Sequence, residues 1–365
     1  MQYIDRANAG VKALSPYQAG KPIEELEREL GIKNIIKLAS NENPFGLPPS
    51  AKKAIQAQLD NLHLYPDSNG FYFKQAVAKK FGLQPEQITL GKGSNYLIEL
   101  IAHTFASEQD EIIYSQYGFI VYPLISQALN AKRVEIPAKN YGNDLSAFLN
   151  EITPKTKLIY IANPNNPTGS FLSAVEIADF LAQVPPQVIV ALDEAYVEFT
   201  EPNERVDSFG LLAKYPNLIV CRTLSKAYGL AGLRIGYAVS STEIAGLLNR
   251  VRQPFNCNSL ALAAATAAIQ DDEFVAKVVE NNRIGLKLLQ NFFDEKDLRY
   301  VPSKGNFVML DLQQPAAPIY QALLRKGVIV RPLAGYGLPN HLRISIGLPE
   351  ENQRFLTALS DILGL

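Results

Sequence analysis

The sequence predicts an α/β fold: a large domain on a mostly parallel sheet covered by helices, joined to a smaller α+β domain. Three observations predict it. Between roughly residues 86 and 240, short β-branched runs alternate with helical patterns. Several of those runs are apolar without alternation, as strands covered on both faces are. After Pro254-Phe-Asn-Cys-Asn258 the texture changes to an alanine-rich helix, a long helical pattern and shorter strands.

In chain order, strands are expected at Ile88–Leu90, Glu111–Ser115, Lys157–Ala162, Val188–Leu192, Leu218–Cys221 and Ile235–Val239. Helices are expected between them, among them Tyr96–Phe105 and Ala174–Val184. Right-handed crossovers then gather the loops that follow the strands at one carboxyl edge, where open α/β sheets bind ligands. Beyond residue 259 come the alanine-rich Leu260–Gln270, a long helix over Glu273–Phe293 and strands at Phe307–Leu310 and Leu342–Ile346. Glu350–Leu363 closes the chain as an amphipathic helix. The expected division is residues 43–259 for the large domain, with 1–42 and 260–365 forming the small one. No internal repeat is present.

A chain of 365 residues has room for about two domains and a large core. Its formal net charge of −1 lacks the basic excess that nucleic-acid or anionic-membrane partners demand. No apolar run approaches the ~18 residues of a membrane span, and Met1-Gln-Tyr-Ile-Asp-Arg6 lacks a signal-peptide pattern. Cytoplasmic location is the expectation. The two cysteines, Cys221 and Cys257, form no Cys-x-x-Cys pair and are read as reduced structural thiols. His63, His103 and His341 show no metal-ligand spacing, so no metal is assigned.

The chemistry concentrates in Thr223-Leu-Ser225-Lys226-Ala-Tyr-Gly-Leu-Ala-Gly-Leu-Arg234, directly after an expected buried strand. Lys226 offers an amine for an aldehyde, while Thr223, Ser225 and Arg234 offer donors to a phosphate dianion. Asp193, at another strand end in Asp193-Glu-Ala-Tyr196, is placed to pair with a pyridine nitrogen. Alone it would read as a turn or N-cap aspartate; spaced a few tens of residues ahead of Lys226, with Tyr196 beside it, it reads as the nitrogen's partner. Asn166 and Tyr196 can donate to the ring oxygen of such a cofactor, although Asn163-Pro-Asn-Asn-Pro-Thr-Gly169 would also serve as a plain turn.

Tyr117, in Gln116-Tyr-Gly-Phe119, suits either stacking on a ring face or the core. Gly91-Lys-Gly-Ser94-Asn95 lies between an expected strand and the helix Tyr96–Phe105, so the amides of Ser94 and Asn95 would point at an anion with the helix dipole behind them. That loop is neither a P-loop nor a full Gly-x-Gly-x-x-Gly. Arg331 and Arg343 bracket the segment between them with two guanidiniums suited to a carboxylate or phosphate, or to surface ion pairs. Together these residues read as a pyridoxal phosphate site.

Asn166-Pro-Thr-Gly169, Asp193-Glu-Ala-Tyr196 and Ser225-Lys226 followed by Arg234 resemble the fold type I, class I/II aminotransferases, nearly end to end. Leu14-Ser-Pro-Tyr17, Lys37-Leu-Ala-Ser-Asn-Glu-Asn-Pro44, Tyr65-Pro-Asp67, Arg331-Pro-Leu333 and Leu342-Arg343-Ile-Ser-Ile-Gly347 narrow the resemblance to the histidinol-phosphate aminotransferase family. The resemblance implies pyridoxal 5'-phosphate as cofactor, and transamination of L-histidinol phosphate with 2-oxoglutarate in histidine biosynthesis. It further implies that Tyr65 reaches the cofactor phosphate of a neighbouring subunit in a homodimer, and that Tyr17, Arg331 and Arg343 bind substrate. Asn95-Tyr96 stand where the family usually carries Asp-Glu. The alternatives are an aromatic or broad-specificity aminotransferase, a decarboxylase of the same fold, and a non-catalytic binder of the cofactor.

Overall fold

The computed structural model describes residues 2–16 and 20–365. Its large sheet has seven strands: β1 Ile88–Gly91, β2 Glu111–Ser115, β3 Lys132–Ile136, β4 Thr156–Ala162, β5 Ile189–Asp193, β6 Leu218–Thr223 and β7 Gly236–Val239. The spatial order is β1-β7-β6-β5-β4-β2-β3. Only β7 runs against the rest, pairing antiparallel with both β1 and β6. The six expected strands are all present, and β3 is an addition to them.

Alternation along the buried strands sorts side chains between two helical layers. Val190, Leu192, Leu218 and Val220 enter one apolar core. Ile189, Ala191, Ile219 and Cys221 enter the core on the other face, with Leu97, Ile101 and Tyr122. The helix Ala174–Gln183 has the expected start for a sequence reason: Ser173 accepts from the Glu176 amide and Glu176 reaches back to Ser173, a reciprocal cap. The expected helix Tyr96–Phe105 starts two residues earlier, at Ser94, directly after Gly93, whose φ of 87° favours glycine.

A second sheet is antiparallel throughout, with β8 Arg299–Val301, β9 Phe307–Asp311, β10 Arg331–Leu333 and β11 Leu338–Ser345 in the order β10-β11-β9-β8. Its core takes Leu289 and Phe293 from the helix Asp272–Glu295 and Phe355 and Leu359 from Pro349–Leu363. Ile36–Lys37 pairs in parallel with Val328–Ile329, which ties the N-terminal segment to this layer. The alanine-rich helix Ser259–Ala268 behaves differently. Its Ala261, Ala264, Ala265 and Ala268 are buried in the large sheet's core, so on packing residues 260–270 side with the large layer. Among the described residues, no helix is long and apolar enough to cross a membrane.

Candidate active site

The carboxyl ends of β4, β5 and β6 open into one cleft, closed on its far side by the N-terminal segment and by β10–β11. Ser94, Asn95, Asn166, Asp193, Tyr196, Thr223, Ser225, Lys226, Arg234, Arg331 and Arg343 all line it, although they come from segments up to 249 residues apart (343 − 94). Tyr17 lies outside the described residues. Two other expected residues are elsewhere. Tyr117 stacks on Tyr141, ring centres 5.9 Å apart, and the nearby Phe119 is among the aromatics that line the cleft, with Tyr196 and Tyr336. Tyr65 is 84% exposed and stacks on Phe255 outside the cleft.

Lys226 stands three residues past β6 with its Nζ 3.1 Å from the Ser40 carbonyl and 5.7 Å from the Tyr196 ring centre. Burial pulls its pKa down to about 7; Arg343 and Arg234 push the same way, against Glu42 and Asp193. An ordinary lysine holds its proton at neutral pH, whereas this one releases it in a large fraction of molecules. The neighbouring backbone is pinned by Asn43, whose Nδ2 donates to the Ala227 carbonyl at 2.9 Å.

Asp193 ends β5 and is buried. Tyr122 donates its hydroxyl to Oδ2 at 2.9 Å, and the Ala195 amide donates to Oδ1 at 3.2 Å. Burial raises its pKa to about 6 from the ordinary 3.8, with Tyr122 and the Ala195 amide opposing the rise. The folded state therefore binds this proton more tightly than the unfolded chain does between those values. The stability this provides is fully present below about pH 4 and is lost as pH rises through about 6. Without cofactor, Asp193→Asn should gain thermal stability relative to wild type across that window, with the difference levelling above it. A pH-independent difference would show that Asp193 is ionised throughout.

Asn166 accepts from Arg343 Nη1 at 2.6 Å through Oδ1, which turns its amide group toward the cleft. Arg343 Nη2 donates to the Ala39 carbonyl at 2.6 Å, so one guanidinium joins β11, the N-terminal segment and the loop after β4. Tyr196 accepts from Asn41 Nδ2 at 2.9 Å, and burial raises its pKa to about 12. Asn41, Ser40, Phe119 and Tyr336 line the cleft without having been singled out as site residues. Asn41 and Ser40 belong to the Lys37–Pro44 segment that resembles the family.

At the mouth, the Thr223 hydroxyl donates to Ser225 Oγ at 3.0 Å and Arg234 Nη1 reaches the same oxygen at 3.4 Å. The helix that starts at Ser94 has no side-chain cap, so its first amides are available to an anion. A Cβ at Gly93 would lie 2.5 Å from Arg234 Nη2, so only glycine lets the guanidinium lie over the helix start. Pyridoxal phosphate fits these groups. Hydroxyls, uncapped helix amides and a guanidinium would suit its phosphate, a buried carboxylate held by a phenol and an amide would suit its ring nitrogen, and a lysine near neutrality would suit its aldehyde.

The comparison with known families agrees with the cleft. The family pattern for Aminotransferase class I and II matches residues 33–359. The chain belongs to this family. Histidinol-phosphate aminotransferase 2 of Pasteurella multocida is 79% identical over 365 residues, covering all of both chains. Histidinol-phosphate aminotransferase 2 of Haemophilus influenzae strain 86-028NP is 72% identical over 363 residues, with 100% of this chain and 99% of the relative covered. The crystal structure of histidinol-phosphate aminotransferase from Sinorhizobium meliloti, in complex with pyridoxal-5'-phosphate, superposes with a TM-score of 0.89 at 28% identity, covering 98% of each chain. A Thermus thermophilus aspartate aminotransferase, at 23% identity and TM-score 0.85, shares the fold over 97% of this chain and 99% of its own. The large helix-covered sheet with a smaller sheet beside it is therefore the fold type I architecture.

Proposed function

We propose that this protein transfers an amino group between L-histidinol phosphate and 2-oxoglutarate, giving imidazole acetol phosphate and L-glutamate for histidine biosynthesis, with pyridoxal 5'-phosphate as cofactor. The observation that carries the reading is one cleft holding Lys226 beside Asp193, a hydroxyl–amide–guanidinium cluster and two further arginines, Arg331 and Arg343. The names of the full-length relatives at 79% and 72% identity support the choice of substrate.

When bound, the cofactor supplies an aldehyde and an electron-withdrawing ring that accepts the electron pair freed at the substrate's α carbon. Thr223, Ser225, Arg234 and the amides of Ser94 and Asn95 bind its phosphate. Asp193 holds the proton on its ring nitrogen, and Asn166 and Tyr196 orient the ring through its oxygen. Lys226 Nζ moves the proton: neutral in a large share of molecules near pH 7, it would take a proton from the substrate's α carbon and deliver it to the carbon that carries the cofactor's aldehyde, and the reverse for the second substrate. Arg331 and Arg343 bind the anionic ends of the substrates, so the carboxylate of glutamate and the phosphate of histidinol phosphate compete for the same cationic ground.

A single-turnover absorbance titration of the cofactor-loaded protein with L-histidinol phosphate, run beside L-phenylalanine, tests the reading. Rapid conversion of the cofactor to its amine form by histidinol phosphate, with phenylalanine much slower, is the expected result. Equal or faster conversion by phenylalanine would move the protein to the aromatic or broad-specificity class, and release of carbon dioxide from a phosphorylated amino acid would make it a decarboxylase. A homodimer in the cytoplasm belongs to the same proposal. Its support is Tyr65, exposed on Phe255 and flanked by exposed Leu62 and Leu64, an apolar surface of the kind that interfaces cover.

A further inference from the structure

Asp193 is fixed by a residue that no strand end supplies. Tyr122 lies on the helix Val121–Ala128, wholly buried, and gives its hydroxyl to Asp193 Oδ2 at 2.9 Å. Its ring lies parallel to that of Tyr160, centres 4.7 Å apart and planes 2° apart. Tyr160 in turn donates to the Ile98 carbonyl at 2.7 Å, which anchors the stack to the helix Ser94–Phe105, the same helix whose start faces the phosphate end of the cleft. With the Ala195 amide on Oδ1 at 3.2 Å, both oxygens of the carboxylate are oriented before any ligand arrives.

From this geometry we infer that Tyr122 is a positioning residue for the cofactor's ring nitrogen: it keeps Asp193 aimed into the cleft and charged, ready for a protonated heteroaromatic nitrogen. A phenol can donate to a carboxylate but cannot neutralise it, and donation stabilises the ionised form over the protonated one. Replacing Tyr122 by an arginine or lysine would satisfy the same oxygen and cancel the charge. A tyrosine therefore leaves the full negative charge for the incoming ring. The inference rests on the reading of Asp193 as the partner of that nitrogen.

The test uses Tyr122→Phe, which preserves the ring stack and removes only the hydroxyl. Dissociation constants are measured on the full-length apoenzymes, wild type and variant, for pyridoxal phosphate and for its 1-deaza analogue, in which a C–H replaces the ring nitrogen. The variant is expected to bind pyridoxal phosphate at least about tenfold more weakly, the scale on which removal of an outer-shell partner acts at metal sites. Its affinity for the deaza analogue stays at the wild-type value, which also reports an intact pocket. Equal losses for both probes would reduce Tyr122 to a structural role, and no loss for either would leave it without one. If the wild type itself bound both probes equally, the reading of Asp193 would fall, and the role of Tyr122 with it.

Discussion

Lys226→Ala is expected to lower turnover at least about 10⁴-fold while the chain still folds and still binds pyridoxal phosphate. Lys226 is the one lysine among the described residues lining the cleft, so no neighbouring amine can stand in for it. Removing it costs the fold little, because the Nζ makes one hydrogen bond, to the Ser40 carbonyl, and burial already works against its charge. Stopped-flow measurement of each half-reaction, together with a melting curve, checks both parts. Turnover near the wild-type rate would remove Lys226 from the chemistry and with it the proposed reading of the site.

The largest effect on stability is expected at Arg222. Its Nε and Nη2 both lie 2.9 Å from Glu194 Oε2, and the two side chains are 8% and 1% exposed. The guanidinium also lies over Phe209, 4.1 Å from the ring centre. Arg222→Ala strands the Glu194 carboxylate in the interior, a loss of about 3–5 kcal/mol. Replacing both partners with apolar residues, Arg222→Met with Glu194→Leu, should lose much less than the single change does, since no charge is then left unpaired. Urea unfolding of the three proteins measures the difference. A single variant within about 1 kcal/mol of wild type would show that water or a rearranged neighbour takes over the pairing.

The pair sits back to back with the site. Asp193 and Thr223 point to the face of the sheet shared with Tyr122, while their chain neighbours Glu194 and Arg222 point to the opposite face, against Phe209 and Phe81. This bridge holds together the two strand ends that carry the ring-nitrogen and phosphate partners. A destabilised Arg222 variant should for that reason also lose cofactor affinity.

How much of this was legible in the sequence depends on whether a residue's role is set locally. The central strands were readable because both faces are covered, so Leu218–Cys221 and Val188–Leu192 are continuous apolar runs. Lys132–Ile136 escaped because it is the sheet's edge: its first two residues and Glu135 are exposed and charged, and it reads as loop. Lys226, Asp193, Thr223 and Ser225 were readable because each follows such a run at the edge where ligands bind. Tyr122 was not, since a tyrosine within an apolar helix carries no sign of what its hydroxyl meets. Nor was the stack of Tyr117 on Tyr141, which joins residues 24 apart in the chain (141 − 117).

The N-terminal segment sets the order in which this cleft can come into being. Asn41 donates its amide to Ser345 Oγ at 2.8 Å across 304 residues, and Ser40 meets Lys226 across 186. A ribosome adding about 5–20 residues per second makes Asn41 roughly 15–60 s before Ser345 exists to receive it. Throughout that interval the nascent chain can complete the large sheet, but it lacks the strand that carries Arg343 and the wall that Arg343 helps to close. Enclosure of Lys226 is thus a late event in the life of each molecule. A partly made chain presents an open lysine-bearing sheet edge, and a finished one presents an enclosed cleft.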